Sequence, residues 1–147
     1  MLFRLNYAID LRYGVLRDIA DKVWNEQPVD VTMGYVNVIW QGDANARALQ
    51  CLGKTSSPPE ILNVTGPECL SVRDLAERQG DLLGKTPQFV GEEEPTAWLS
   101  DASKSIEWFG PPTVSLEEML VATAEWVRQG GASLGKPTHF ETRDGNY

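Results

Sequence analysis

Four polar side chains that can bind a small molecule lie close together near the start of the sequence. Asn6 and Tyr7 directly follow the apolar run of residues 2–5, and Arg12 and Tyr13 come shortly afterwards. Amide and phenol groups form directional hydrogen bonds, and a guanidinium pairs with carboxylate or phosphate. Side chains just beyond the C-terminal end of a parallel strand lie where open α/β sheets bind ligands. This segment is therefore the first candidate for a substrate pocket.

Each of these side chains also has a purely structural interpretation. Asn6 can cap a turn and Tyr7 can pack as an amphipathic wall, and both roles stay open beside ligand contact. For Arg12 we favour an ion pair with an acidic neighbour over a substrate anion. Gly14 is expected to permit a tight turn.

The other reactive groups indicate neither a catalytic centre nor a metal site. His139 is the single histidine, and it stands in the tail without a nearby Ser or Cys nucleophile. We interpret it as a tail residue or a packed side chain. Glu92–Glu94 is interpreted as a solvated loop, and no His/Cys cluster indicates a metal. Cys51 and Cys69 lack metal-ligand spacing and are expected to be reduced thiols.

Charge and hydropathy exclude two classes of partner. The net charge of −8 is spread without any Lys/Arg cluster, so nucleic acid is not an expected partner. No apolar run approaches the roughly 20 residues that a membrane span requires, and we recognise no signal peptide. The 147 residues correspond to one domain. We therefore expect a cytoplasmic protein, in which the sequon at Asn63 is not glycosylated.

Alternating strands and helices must position the candidate residues. The patterns predict strands at 2–5, 28–34, 35–40, 60–66 and 87–93, and helices at 14–27, 44–53, 72–84, 100–110 and 116–129. The first strand and the strand at 60–66 are expected to be buried, the latter on both faces as in parallel sheets. The predicted fold class is therefore α/β with parallel pairing.

Several side chains are expected to serve this framework. Ser71, and Ser115 with Glu118, are predicted helix N-caps. Asp43 is predicted to cap a helix that starts at Ala44. Asn37 is expected to satisfy backbone groups where loops cross. The tryptophans at or near predicted helix faces are expected to be core residues: Trp24, Trp98, Trp108 and Trp126.

Three segments in this order resemble a known family. They are LFRLNYAIDLRYGVL, YVNVIWQGDANARAL and ILNVTGPECLSVRDLAE. Together they are similar to the C-terminal, substrate-binding half of the extended short-chain dehydrogenase/reductases, the NAD-dependent epimerase/dehydratase family. The resemblance implies a partial Rossmann-like parallel sheet, its last strands, plus a small substrate-binding α/β subdomain. Residues 1–130 would form this portion, and residues 131–147 an irregular tail.

The resemblance also implies a function. The substrate would be a sugar nucleotide or a similar small hydroxy or keto compound, which the complete protein oxidises reversibly at a carbinol carbon. The implied pocket residues are Asn6, Tyr7, Arg12, Tyr13 and Asn37. In the family the loop that carries Asn6 and Tyr7 also lies near the nicotinamide, so the same two residues are the candidate cofactor contacts.

Two hallmarks of the family are missing from the sequence. No Gly-rich turn follows a first strand, and such a turn holds the pyrophosphate of NAD(P). The family's Tyr-x-x-x-Lys pair is absent as well, because Tyr7, Tyr13 and Tyr35 are followed at that offset by other residues and Tyr147 is the last residue. We therefore assign no catalytic residue. NAD or NADP is implied for the complete protein, and this chain alone is expected neither to bind it tightly nor to transfer hydride.

The first strand is expected to need a neighbour. In the family fold it would lie between an earlier parallel strand and the strand at 61–64, and an edge with unpaired backbone groups is seldom left bare. We expect a second copy of the chain, in a homodimer, or the missing N-terminal half to cover it. The alternative function is a non-catalytic α/β module that self-associates through this edge.

Overall fold

The computed structural model describes residues 1–143, which form an α/β fold. The strands are β1 Leu2–Leu5, β2 Ala8–Ile9, β3 Pro28–Asp30, β4 Tyr35–Val36, β5 Ile39–Trp40, β6 Ile61–Val64, β7 Leu70–Ser71 and β8 Gln88–Val90. The helices are α1 Val15–Trp24, α2 Gln41–Gln50, α3 Val72–Leu83, α4 Ser103–Phe109 and α5 Leu116–Arg128. A 3₁₀ turn at Cys51–Lys54 continues α2. The predicted α/β class is therefore confirmed.

The described strands pair two by two, and most pairs are parallel. β1 pairs with β6, so that Leu2 lies opposite Ile61 and Leu5 opposite Val64. β2 pairs in parallel with β5, and β3 with β8. The pair of β4 with β7 is antiparallel. The expected parallel neighbour of the first strand is thus confirmed, and the arrangement is that of a partial Rossmann-like sheet with smaller pairs beside it.

The larger core lies between α1, α3 and α5. On α1, Val15, Ile19 and Val23 recur at helical spacing and are all buried, as their pattern predicts. α3 contributes Leu75, and α5 contributes Leu120, both essentially fully buried. Each such side chain stabilises the fold by about 1.5–3 kcal/mol relative to leaving it in water.

Two of the three predicted helix N-caps are confirmed, and the third is wrong. Ser71 Oγ accepts from the Asp74 amide, and Ser115 forms a complete capping box with Glu118. The predicted cap at Asp43 is wrong. α2 begins at Gln41, so Asp43 lies within its first turn, and its carboxylate accepts hydrogen bonds from the loop at 113–114 instead.

The burial predicted for the first strand and for the strand at 60–66 is also wrong. Leu62 and Val64 are fully buried against Ala44 and Cys51 of the α2 region, in a second and smaller core. The opposite face is only partly covered, since Ile61 is 45% exposed and Asn63 is half-buried. On β1, Leu2 and Leu5 are 50% and 46% exposed, because the described residues do not cover the outer side of this strand.

The segment after α5 has no regular elements up to residue 143 and is largely exposed, yet it is anchored near Thr138 and Phe140. Phe140 is fully buried in the larger core. The Asp18 carboxylate on α1 accepts from the Thr138 backbone amide at 2.7 Å and from its hydroxyl at 2.6 Å. His139 is exposed beside them with a φ of 52°. The last four residues of the predicted tail 131–147, Tyr147 included, lie outside the described residues.

The described helices include no candidate for a membrane span, since none combines sufficient length with sufficient hydropathy.

Candidate substrate-binding site

Three segments meet at the C-terminal end of β1 through the side chains of two asparagines. Asn6 directly follows β1, and its Nδ2 donates to Asn37 Oδ1 at 2.9 Å. Asn37 lies between β4 and β5, and its Nδ2 donates to the Ser100 carbonyl oxygen at 2.7 Å. Since Asn37 is only 5% exposed, these bonds satisfy an amide that would be costly to bury alone. Asn37 thereby positions both Asn6 and the loop that carries Ser100.

A cleft of about 270 Å³ opens beside this network. Asn6 and Tyr7 form one wall, and Trp98, Leu99 and Ser100 form the other. The lining combines amide and hydroxyl groups with an indole and an aliphatic side chain. Such a surface can bind a compound that carries hydroxyl or carbonyl groups on a small carbon skeleton.

Tyr7 has a backbone conformation that is unusual for its residue type. Its φ of 43° lies in the left-handed region, which costs a non-glycine residue about 1–3 kcal/mol. The Ile39 amide donates to the Tyr7 carbonyl oxygen at 3.2 Å and helps to hold this conformation. Strained residues of this kind persist only where the surrounding structure maintains them, and they are frequent at ligand sites.

Tyr7 also lines a second cleft, of about 250 Å³, on its other side. Tyr13 and Gly14 lie in the same wall, together with Gln41 and Thr138. Gly14 has a φ of 127°, and a Cβ there would lie 3.0 Å from Ile9 Cδ1, so glycine is needed for this close turn.

Arg12 lines none of these clefts and pairs with an acidic neighbour. Its Nε donates to Asp10 Oδ1 at 2.9 Å and its Nη2 to Asp10 Oδ2 at 3.0 Å. The hydrogen bonds between the two side chains lower the pKa of Asp10 and raise the pKa of Arg12. The structure therefore shows the ion pair that we favoured for Arg12 from the sequence.

A third cleft, of about 270 Å³, shares Trp98 with the first. It is lined by Met33, Thr96, Ala97, Trp98 and Arg143. The expectation that Trp98, at or near a helix face, is a core residue is wrong, because it lies in the loop between β8 and α4 and is 47% exposed. The other three tryptophans of that prediction, on α1, α4 and α5, are partly buried. Trp98, Ser100 and Arg143 are site residues that the sequence reasoning missed.

The described residues include no metal centre, since no group of three or more His, Cys, Asp or Glu side chains could hold an ion. The N-termini of α1 and α2 also offer no glycine-rich turn for the pyrophosphate of a dinucleotide. Gly14, at the N-terminus of α1, is closely approached by Ile9 and Ala8, and α2 starts after Trp40 without a glycine turn.

Similarity to known proteins is visible in structure and not in sequence. No protein-family model matches the chain, and no curated protein matches it. Among solved structures, UDP-glucose 4-epimerase from Thermus thermophilus, in complex with NAD, has a TM-score of 0.68 at 19% identity. That match covers 86% of this chain and 45% of the epimerase.

Two further structures agree. UDP-glucose 4-epimerase from Thermotoga maritima, with UDP-glucose, has a TM-score of 0.67 at 20% identity over 87% of this chain and 45% of that one. UDP-glucuronic acid 4-epimerase from Bacillus cereus, in complex with UDP-glucuronic acid and NAD, has a TM-score of 0.69 at 19% identity over 86% of this chain and 44% of that one. The described chain has part of the epimerase fold. The chain spans a little under half the length of these epimerases, and identities this low establish the epimerase fold alone.

Proposed function

We propose that this chain is the substrate-binding portion of an NAD(P)-dependent epimerase/dehydratase-like oxidoreductase. The substrate class is a sugar nucleotide or a similar hydroxy or keto compound, and the setting is the cytoplasm. One observation carries the proposal: Asn6 donates to Asn37, and Asn37 donates to the Ser100 carbonyl oxygen, beside a cleft at the C-terminal end of β1. The partial epimerase fold supports it, because open α/β sheets bind ligands at this end of their strands.

In this proposal the residues of the chain bind and orient a substrate. Asn6 and Tyr7 contact its hydroxyl or carbonyl groups, and Asn37 holds Asn6 in place. Tyr13 extends the pocket through the second cleft. Of the predicted pocket residues, Arg12 has the weakest support, since its guanidinium is paired with Asp10.

The chain alone is proposed to be inactive. NAD or NADP, when held by the complete protein, supplies the hydride acceptor for oxidation of a carbinol carbon. Asn6 and Tyr7 would approach that cofactor from the substrate side. None of the described residues is assigned a proton-transfer role.

Ligand binding by the isolated chain tests this proposal. D-glucose and UDP-glucose are titrated separately, and binding is followed through the backbone amide NMR signals of Asn6 and Ser100. At least one probe is expected to bind saturably. Asn6→Ala is expected to weaken that binding at least tenfold, because a lost hydrogen bond to a buried substrate group costs about 1–3 kcal/mol.

The matched control is Asn45→Ala, since Asn45 is exposed on α2 and lines none of the three clefts. It is expected to bind the same probe as the unaltered chain does. Failure of both probes to shift these signals, or an equal loss in the two variants, would overturn the proposal.

A second candidate function is self-association through β1. In residues 1–143 this strand pairs with β6 alone, so its outer edge offers free backbone groups. A largely apolar cleft of about 330 Å³ lies between β1 and the α2 region, lined by Met1, Phe3, Ala48, Cys51, Leu52 and Thr55. Leu49 and Leu52 are 69% and 73% exposed nearby. Either a second copy of the chain or an NAD-binding half would bury this surface. In this second candidate function, the occupant is a second copy of the chain.

Sedimentation velocity distinguishes this candidate. The chain is expected to form dimers, and Leu5→Lys is expected to raise the dimer dissociation constant at least tenfold by placing a charge in the interface. Val121→Lys is the control, because Val121 on α5 is 45% exposed and Leu5 is 46% exposed. A chain that stays monomeric at every concentration, or equal effects of the two lysines, would contradict self-association.

A further inference from the structure

The guanidinium of Arg143 stands in the third cleft with one of its two hydrogen-bonding sides occupied. Its Nη1 donates to the Thr96 carbonyl oxygen at 2.9 Å and to the Thr32 carbonyl oxygen at 3.3 Å. Its Nη2 donates to the Thr96 hydroxyl. Both nitrogens at the tip of the guanidinium are therefore engaged by Thr96, which fixes the orientation of the charged group.

The other side of the guanidinium keeps its donors. Arginine has five N–H groups in a planar fork, and the bonds to Thr96 and Thr32 use the Nη1 and Nη2 side. Nε has no hydrogen-bond partner among residues 1–143, and no carboxylate of those residues forms an ion pair with Arg143. An Nε–H beside an Nη2–H is the pair of donors that binds a carboxylate with two parallel hydrogen bonds.

Trp98 provides a flat apolar wall next to this fork. Its indole Nε1 donates to the Thr142 carbonyl oxygen at 3.3 Å, and its own carbonyl oxygen accepts from Asn6 Nδ2 at 3.4 Å. The residue is thus held at both ends although it is 47% exposed. It lines the first cleft and the third, so a ligand that lies across it can reach both Asn6 and Arg143.

The charge of the cleft linings argues for a ligand with one negative group. The linings of the first and third clefts contain a single cation, Arg143, among the described residues. The acidic residues Glu92–Glu94 precede Thr96 in the same loop, and the chain carries a net charge of −8, which disfavours a diphosphate. Each cleft has about 270 Å³, which is below the range of about 300–1,000 Å³ typical for sites of drug-sized ligands, so a ligand that lies across Trp98 uses both clefts.

We infer that the two clefts flanking Trp98 together bind a small hydroxy or keto carboxylic acid. The carboxylate is held by the Nε and Nη2 donors of Arg143, and the carbon skeleton lies against Trp98. A hydroxyl group donates to Asn6 Oδ1, whereas a keto group accepts from the Ser100 hydroxyl, because Asn6 Nδ2 already donates to Asn37 and to the Trp98 carbonyl oxygen. This inference rests on the proposed function and narrows its substrate class, a sugar nucleotide or a similar hydroxy or keto compound, to small hydroxy or keto acids. Arg143 is then the specificity-determining residue.

Comparing the affinities of a charged probe and a neutral probe tests the inference. D-glucuronate and D-glucose have the same ring and differ in the carboxylate, and both are titrated against the full chain by amide NMR. D-glucuronate is expected to bind at least tenfold more tightly than D-glucose. Arg143→Gln is expected to remove that advantage, and Arg143→Lys to recover it only in part, because an ammonium lacks the planar fork. Thermal unfolding of each variant verifies that it is folded.

The control variant is Arg78→Gln, whose guanidinium is exposed on α3 and pairs with Glu117 away from the clefts. It is expected to keep the full preference for D-glucuronate. Equal binding of D-glucuronate and D-glucose, both lost in Asn6→Ala, would overturn the inference and leave the proposed function standing. UDP that displaces D-glucuronate and binds more tightly would also overturn it, in favour of a nucleotide. If neither sugar, nor UDP-glucose, binds, the proposed function fails as well.

Discussion

Phe140→Ala is expected to lower the free energy of unfolding by about 3–5 kcal/mol, the usual cost of truncating a buried aromatic side chain. Phe140 is fully buried in the core between α1, α3 and α5, although it belongs to an irregular segment. The Lys22 ammonium lies 5.7 Å from the centre of its ring and adds a cation–π contact. Chemical denaturation followed by circular dichroism measures the loss.

Leu134→Ala is the matched control for Phe140→Ala. Leu134 belongs to the same segment but is 53% exposed, so its truncation is expected to cost less than about 0.5 kcal/mol. Equal effects of the two substitutions would show that the segment after α5 does not belong to the folded core. A large loss at Phe140 alone would show that the fold requires it, as the bonds between Asp18 and Thr138 also indicate.

Helices could be predicted well from the sequence because their signals are local. The buried positions of α1 recur every three or four residues, and Ser71 and Ser115 mark the starts of α3 and α5. Asp43 misled the prediction because its side chain is engaged by a loop some 70 residues further along the chain. An aspartate that caps a nearby helix and an aspartate that accepts hydrogen bonds from a distant loop cannot be told apart in the sequence.

The candidate site could be predicted only on its β1 side. Asn6 and Tyr7 stand where a strand pattern ends, which is a local signal. The opposite wall comes from an irregular loop, and Trp98 reaches Asn6 across 92 residues of sequence without any periodicity that would reveal it. Arg143 and Phe140 lie in a Gly-rich tail whose composition hides both a core residue and a charged site residue.

Strand burial was mispredicted for a further physical reason. An apolar run such as residues 2–5 shows that a strand prefers apolar surroundings, but it does not show which part of the assembly supplies them. In the described chain the second core covers one face of the pair formed by β1 and β6 and leaves Leu2 and Ile61 half exposed. Such a surface is consistent with the partner proposed above, because contiguous exposed apolar patches mark interaction sites.

Asp43→Asn is expected to lower the free energy of unfolding by about 1.5–3 kcal/mol near neutral pH, since the hydrogen bonds it removes are charge-assisted. Asp43 Oδ1 accepts from the Thr113 hydroxyl at 2.6 Å and from its amide at 3.1 Å, and Oδ2 accepts from the Val114 amide at 3.1 Å. An asparagine presents an NH₂ group to one of these donors, so the loop between α4 and α5 loses part of its anchor. Thr113→Val, which removes the hydroxyl alone, is expected to cost only about 1 kcal/mol.

The pH dependence of the free energy of unfolding that Asp43→Asn removes provides a second test. Burial alone would raise the pKa of Asp43, but the hydrogen bonds from Thr113 and Val114 outweigh it and hold the pKa below the ordinary value of 3.8. A carboxylate with a lowered pKa contributes stability that is complete above its unfolded value and is lost as the pH falls through its folded value. The gap between the original chain and Asp43→Asn, measured by urea denaturation, should therefore be full at about pH 7 and shrink at about pH 3. A gap that stays constant with pH would show that the anchor does not depend on the charge, and that shape alone joins α2 to the loop before α5.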